Sequence, residues 1–312
     1  MLAVFGMMMT SICKEYWQFV LAQGICTGIG LSGAFIPSIA IVPTYFTSRR
    51  AFALGISASG SSVGGVLFPV IFHRLQPRIG FPWTTRVLAF IMLATLCVSI
   101  ALMRVRITSS NRRSLVDLDA FKNKRYSLFV ISQFCGFTGL YIPFFYVQQY
   151  SKSMAHTSPN LAFYTLAILN AGSFFGRIIP GFLADSLGAV NTLLFCAIAS
   201  TVLAFCWIAI KDTAGILVFC ALYGFCSGTF VSLQAATVSS LVPHMRIVGT
   251  WMGMTAFISG LGLLVGTPVA GVILNSGYLG LQLFCGATIA VATIFIGLTA
   301  MAISKHVVKS EA

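Results

Sequence analysis

The sequence predicts an all-α integral membrane protein built from two parallel helical bundles. Three observations carry this: an internal repeat, a composition suited to lipid, and nine apolar segments of bilayer-spanning length. Gly24-Ile25-Cys26-Thr27-Gly28 returns 200 residues later as Gly224-Phe225-Cys226-Ser227-Gly228, and Phe19 is matched by Phe219. At an offset of 198, Gly55 falls on Gly253 and Gly64 on Gly262, while Pro69 and Pro268 agree to within one position. A repeat of apolar helices at this distance indicates two halves of the same topology. Carried backwards, the offset leaves residues 126–183 with a counterpart only before Met1, so the front of the first half is expected upstream of this sequence.

Hydrophobic residues make up 58% of the chain and charged residues 8%, against roughly 25% charged in a soluble domain. The mean hydropathy is +0.94. Lipid matches such a surface and water does not. A net charge of +13 would suggest nucleic acid in a polar chain. Here the basic residues collect in loops and describe topology, so no nucleic-acid partner is expected. The nine cysteines are odd in number and scattered through apolar segments without a CxxC, so they read as small buried side chains. No metal or cofactor site is expected. The apolar start lacks the basic region and small-residue cleavage site of a signal peptide.

In chain order the spans run 17–43, 51–72, 84–103, 127–149, 160–183, 190–210, 214–240, 248–274 and 279–303. Each approaches the roughly 20 apolar residues that a bilayer requires. Residues 1–12 are apolar but reach only about 18 Å as a helix, the length of half a span. Placing the C-terminal tail in the cytoplasm puts twelve basic residues on that side and six outside, with Arg177 inside a span. Arg74, Arg78 and Arg86 share one outer loop and run against the bias. The predicted domains are an N-terminal bundle over 1–104, a basic cytoplasmic linker over 105–125, a six-helix bundle over 126–304 and a tail over 305–312. The linker's basic residues would also suit contact with anionic lipid.

GxxxG pairs occur at Gly24/Gly28, Gly60/Gly64, Gly172/Gly176, Gly224/Gly228, Gly249/Gly253 and Gly262/Gly266. Small residues four apart let helix backbones approach closely. Pro37, Pro69, Pro143, Pro180 and Pro268 fall inside spans, where they kink helices and free backbone carbonyls.

The run Tyr45-Phe46-Thr47-Ser48-Arg49-Arg50-Ala51-Phe52-Ala53-Leu54-Gly55-Ile56-Ser57-Ala58-Ser59-Gly60 resembles the second signature of the monocarboxylate porter family, within the major facilitator superfamily. Gly176-Arg177-Ile178-Ile179-Pro180-Gly181-Phe182-Leu183-Ala184-Asp185 is similar to the superfamily's helix-eight end and the short loop after it, with fewer basic residues. The resemblance implies a major facilitator fold of twelve helices, of which this sequence supplies helices four to twelve and the tail of helix three. It also marks Tyr45, Phe46, Arg49, Arg50, Gly55, Gly60, Gly181 and Asp185 as signature or gating-loop residues. The missing front is then on the order of 75 residues or more.

Arg177 is the ionisable residue set well inside a span, eight positions before Asp185 and about 12 Å from that end. A buried arginine needs a cavity, a partner such as Asp185, or room to snorkel. Its planar fork fits a carboxylate bidentately. The resemblance implies this role, because family members use an arginine here for the substrate carboxylate. They pair it with an aspartate one turn earlier for proton coupling, where this chain has Ser173. The lysine that some members carry on helix one falls outside the sequence. Gln133, Tyr141, Gln148, Asn170, Ser173, Gln23 and Gln234 are further candidates, each either lining water or tying two helices together. His73, His156, His244 and His306 map to loops or the tail.

The function expected is secondary-active transport of a small carboxylate or other organic anion by alternating access. Its partners would be the bilayer, the anion and protons as a coupling ion, in a multi-pass protein of the plasma membrane with a cytoplasmic C-terminus. The alternative is a truncated, non-transporting membrane protein: a partner of a full-length relative, or an incomplete gene model. The six acidic residues form no pairing with His or Cys suited to a nucleophile or metal, and there is no P-loop, so neither an enzyme nor direct ATP drive is expected.

Overall fold

The computed structural model describes residues 1–46, 48–104, 116–155 and 157–311, with 305–311 described by backbone alone. Residues 105–115 of the basic linker, Thr47 of the signature run, His156 and the side chain of His306 therefore lie outside the described residues. The fold is all-α. Its helices are α1 (Leu2–Thr10), α2 (Tyr16–Phe19), a π-helical turn (Val20–Thr27), α3 (Gly28–Tyr45), α4 (Arg50–Leu102), α5 (Lys124–Leu140) and α6 (Ile142–Ser153). They continue with α7 (Pro159–Leu187), α8 (Ala189–Cys206), α9 (Thr213–Leu241), α10 (Val248–Leu274) and α11 (Tyr278–Glu311).

Eight helical stretches among the described residues are long and apolar enough to cross a bilayer, where the sequence predicts nine spans. The difference lies in α4, whose 53 residues contain two predicted spans. As one straight helix it would be about 80 Å long, against a hydrocarbon core of about 30 Å. Gly80 breaks it with φ 75° and ψ 169°, a left-handed geometry that glycine adopts without a Cβ clash. The neighbours fix the path. Phe81 meets Phe19 edge-on at 5.9 Å, and the Tyr45 hydroxyl donates to the Arg104 carbonyl at 2.7 Å. Residues 81–104 thus run alongside 19–45 in the same direction, and the first arm of α4 must make the return crossing between them. Another departure is in 127–149, which breaks at Tyr141 into α5 and α6, just before Pro143 in the first turn of α6.

The chain forms two compact units. The first contains Met1–Tyr45 and the part of α4 from Gly64 onward. Here α1 lies against the π turn and α3: a Cβ on Gly30 would strike the Ala3 backbone, and the Cys26 thiol donates to the Leu2 carbonyl at 3.6 Å. Arg86 stacks over Trp83 at 4.9 Å while its Nε donates to Ser11 Oγ at 3.0 Å.

The second unit holds Phe46–Val63 together with the chain beyond the linker. Residues 50–63, the start of α4, fall within this unit. Glycines set the spacing of this unit. Gly262 and Gly266 press α10 onto the Phe134 and Thr138 carbonyls of α5, and Gly172, Gly176, Gly224 and Gly228 join α7 to α9. Each approach is too close for any Cβ. By contrast, no atom lies within 4 Å of a Cβ built on Gly24, Gly28 or Gly60, so these GxxxG members make no such contact among the described residues. One end of the unit is closed by an aromatic stack, in which Trp207, Phe219 and Tyr223 lie face to face at 5.4 and 5.3 Å. The Tyr150 hydroxyl pins it by donating to the Ile210 carbonyl at 2.6 Å.

Candidate functional site

Ser173, Arg177, Gly181 and Asp185 are spaced by four and so share one face of α7. All four meet the first arm of α4 within the second unit. Ser62 donates to Ser173 at 3.3 Å. A Cβ on Gly55 would strike the Arg177 carbonyl, and one on Gly181 would lie 3.0 Å from the Ala51 carbonyl. The Asp185 carboxylate accepts from the backbone N–H groups of Ala51 at 2.9 Å and Phe52 at 3.1 Å. These belong to the first turn of α4, where N–H groups lack intrahelical partners and the helix dipole favours an anion. The two helices run antiparallel, held close by glycines and joined by polar contacts at each turn.

Arg177 sits at the middle of this joint and is 7% exposed. Its Nε donates to Ser173 Oγ at 3.3 Å, and its Nη1 donates to the Ala58 carbonyl at 2.7 Å and to Ser61 Oγ. Ser61 in turn donates to the Ala58 carbonyl at 2.9 Å. Every partner is neutral. The sequence allowed for a pairing with Asp185, but that carboxylate is taken by the start of α4. Lys122–Asp119 is the salt bridge found among the described residues.

The other candidates divide. Tyr141, at the break between α5 and α6, lies within electrostatic range of Arg177 and packs against Phe137 at 5.8 Å and Phe144 at 5.2 Å. Gln234 ties helices together, donating to Ser259 Oγ at 2.9 Å, and Asn170 donates to the Leu166 carbonyl of its own helix at 3.0 Å. Gln133 is fully buried with neither amide atom hydrogen-bonded. Gln148 is half-buried and Gln23, on the π turn of the first unit, is exposed. In the signature run, Arg50 Nε donates to the Phe46 carbonyl at 2.8 Å, and Arg49 is exposed.

Sequence reasoning missed Ala58, Ser61 and Ser62. A signal was present, since Ser57, Ser59, Ser61 and Ser62 make an unusually polar run within an apolar span. Hydroxyls there must find partners.

A family model described as Major Facilitator Superfamily matches residues 1–267. The MFS-type transporter dbaD of Emericella nidulans is 40% identical over 293 residues, covering 93% of this chain and 66% of that protein. The aspyridones efflux protein apdF of the same organism is 38% identical over 289 residues, covering 92% of this chain and 59% of that protein. The chain thus spans less than two thirds of the length of these curated relatives. Among solved structures, the transporter FucP in the outward conformation superposes with a TM-score of 0.71 at 15% identity, covering 96% of this chain and 80% of that one. At that identity the likeness is one of fold.

Proposed function

The chain belongs to the Major Facilitator Superfamily, and from that premise we propose that it serves as a secondary-active transporter that exports an organic anion by alternating access, with Arg177 as the anchor. The observation that carries this reading is a desolvated guanidinium whose hydrogen-bond partners are all neutral. A buried cation without a carboxylate is costly, and an anionic ligand supplies the missing charge. The signature from Tyr45 to Gly60 supports a monocarboxylate-porter type of carrier. Export is supported by the names of relatives such as the aspyridones efflux protein.

Ser173 stands where that family carries an aspartate, so this site offers no carboxylate for a proton. We accordingly place proton coupling outside the Arg177 site. The setting proposed is the plasma membrane, with the C-terminus in the cytoplasm, following the excess of basic residues in the loops assigned to that side. Tyr141 would face the same ligand, whereas Gln234 and Asn170 would serve packing.

The test is uptake into proteoliposomes of the complete protein, using labelled benzoate, salicylate and 4-nitrophenolate. At least one should show saturable transport that Arg177→Ala abolishes and Arg177→Lys reduces, since lysine keeps the charge but cannot keep the contacts to Ser173, Ala58 and Ser61 that hold the guanidinium in place. Unchanged saturable transport by Arg177→Ala sinks the assignment.

A further inference from the structure

The donor inventory of Arg177 narrows the chemistry of its ligand. A guanidinium has five N–H donors, and a carboxylate engages them in pairs. One pair is Nε with the nearer hydrogen of Nη2; the other is Nη1 with the farther hydrogen of Nη2. In this protein Nε is committed to Ser173 Oγ at 3.3 Å. Nη1 is committed to two acceptors, the Ala58 carbonyl at 2.7 Å and Ser61 Oγ. Nη2 makes no hydrogen bond among the described residues. Each of its hydrogens belongs to a fork whose other prong the protein already holds.

From this we infer that the site is specific for an anion with its charge concentrated on one oxygen, an enolate or phenolate, over a two-oxygen carboxylate. The inference rests on the reading of Arg177 as the ligand anchor. A single oxygen needs one Nη2 donor and leaves the Ser173 and Ser61 contacts intact. A carboxylate bound through a fork must displace one of them and so gives up a hydrogen bond that the protein already makes to Arg177. Ser61 is then a specificity-determining residue. It does not touch the ligand; with the Ala58 carbonyl it holds the Nη1 prong that a carboxylate would use. It is held in turn by its own hydrogen bond to the Ala58 carbonyl at 2.9 Å.

The experiment compares 4-nitrophenolate with 4-nitrobenzoate, at a pH where both are ionised, as ligands of the complete purified protein. Binding is read by titration calorimetry on the parent, Ser61→Ala, Ser61→Thr and Arg177→Ala. The parent should favour nitrophenolate by about tenfold or more, the factor that one hydrogen bond of ordinary strength supplies. Ser61→Ala releases an Nη1 donor, so the preference should collapse through tighter binding of nitrobenzoate. Ser61→Thr keeps the hydroxyl and should keep the parent ratio. Equal or tighter binding of nitrobenzoate by the parent overturns the inference, as does an unchanged ratio in Ser61→Ala. Arg177→Ala separates the two levels. Loss of both ligands leaves the anchor standing whichever ligand the parent prefers, whereas retention of both removes the anchor and this inference with it.

Discussion

Gly28 and Gly228 occupy equivalent places in the 200-residue repeat, yet substituting each by alanine should give opposite results. A Cβ on Gly228 would stand 2.5 Å from the Ser173 carbonyl oxygen, 2.7 Å from its Oγ and 2.9 Å from its Cα. Ordinary contact begins near 3.4 Å, so the difference from 2.5 Å requires α7 and α9 to part by about 0.9 Å. Two of those atoms are backbone and cannot swing aside. Overpacking of this kind costs about 1–3 kcal/mol, which for a chain of this size is a fall of several degrees in melting temperature. Ser173 also holds Arg177 Nε, so the displacement should weaken anion binding as well. Around Gly28 a Cβ meets nothing within 4 Å, and Gly28→Ala should stay within about 0.5 kcal/mol of the parent. Both variants can be melted in detergent and followed by size-exclusion chromatography. Two equal melting temperatures, or a Gly228→Ala protein as stable as its parent, would refute the argument that backbone contact at α7 and α9 sets the spacing of this unit.

Asp185→Asn should lower stability by about 1 kcal/mol, since a neutral amide loses the attraction to the helix N-terminus and offers one accepting oxygen where Ala51 and Phe52 need two. A melt of Asp185→Asn beside Asp185→Glu checks this, and equal stability of Asn and Asp would contradict it. Gln133→Met should raise stability by about 1 kcal/mol, because it removes a buried amide that has no hydrogen bond. If the variant is instead stable but transport-dead, Gln133 belongs to the substrate path.

Much of the fold was legible because a membrane helix has to be apolar along its length. The ends of α7, α9, α10 and the membrane-crossing part of α11 fall close to the spans read from hydropathy. The spans 51–72 and 84–103 correspond to the two arms of α4, and the break between them falls at Gly80, among Arg74, Pro77, Arg78 and Pro82, where composition signals a loop. Composition could not show that residues 51–63 group apart from the rest of α4, since they look like any other small-residue span. Arg177 was found because one charge inside apolar sequence is conspicuous. Its partners were not, because Ser61 and the Ala58 carbonyl lie more than 110 positions away. Only the antiparallel register of α4 on α7 brings them together. The glycine pairs divide for the same reason: GxxxG states that a close approach is possible, and the partner backbone decides whether it happens.

The two faces of α7 differ in what it takes to separate them, and this bears on alternating access. Towards α9, four glycines bring backbone against backbone, and Thr229 Oγ1 donates to the Gly176 carbonyl at 2.7 Å. Such packing has no substitute once lost. Towards α4, two glycines, Gly55 and Gly181, also bring backbone close, but most of the contacts are hydrogen bonds of Asp185, Arg177 and Ser173, with one ring pair, Phe52 and Phe182, at 5.9 Å. Water or an anion can replace those partners, so this is the joint that can open at modest cost. A cross-link distinguishes the two kinds of contact. A Cβ on Gly181 would lie 3.5 Å from the Phe52 Cα, within reach of a disulfide between Gly181→Cys and Phe52→Cys. Oxidation of that pair should stop transport and be reversed by reductant, while the melting temperature holds or rises. The control pair, Thr201→Cys with Thr293→Cys, joins α8 to α11, where the native hydroxyls sit 3.1 Å apart. Oxidising it should leave transport near the parent level. Full transport with α4 and α7 cross-linked would mean that the Arg177 joint stays shut throughout the cycle, and access would then have to alternate elsewhere.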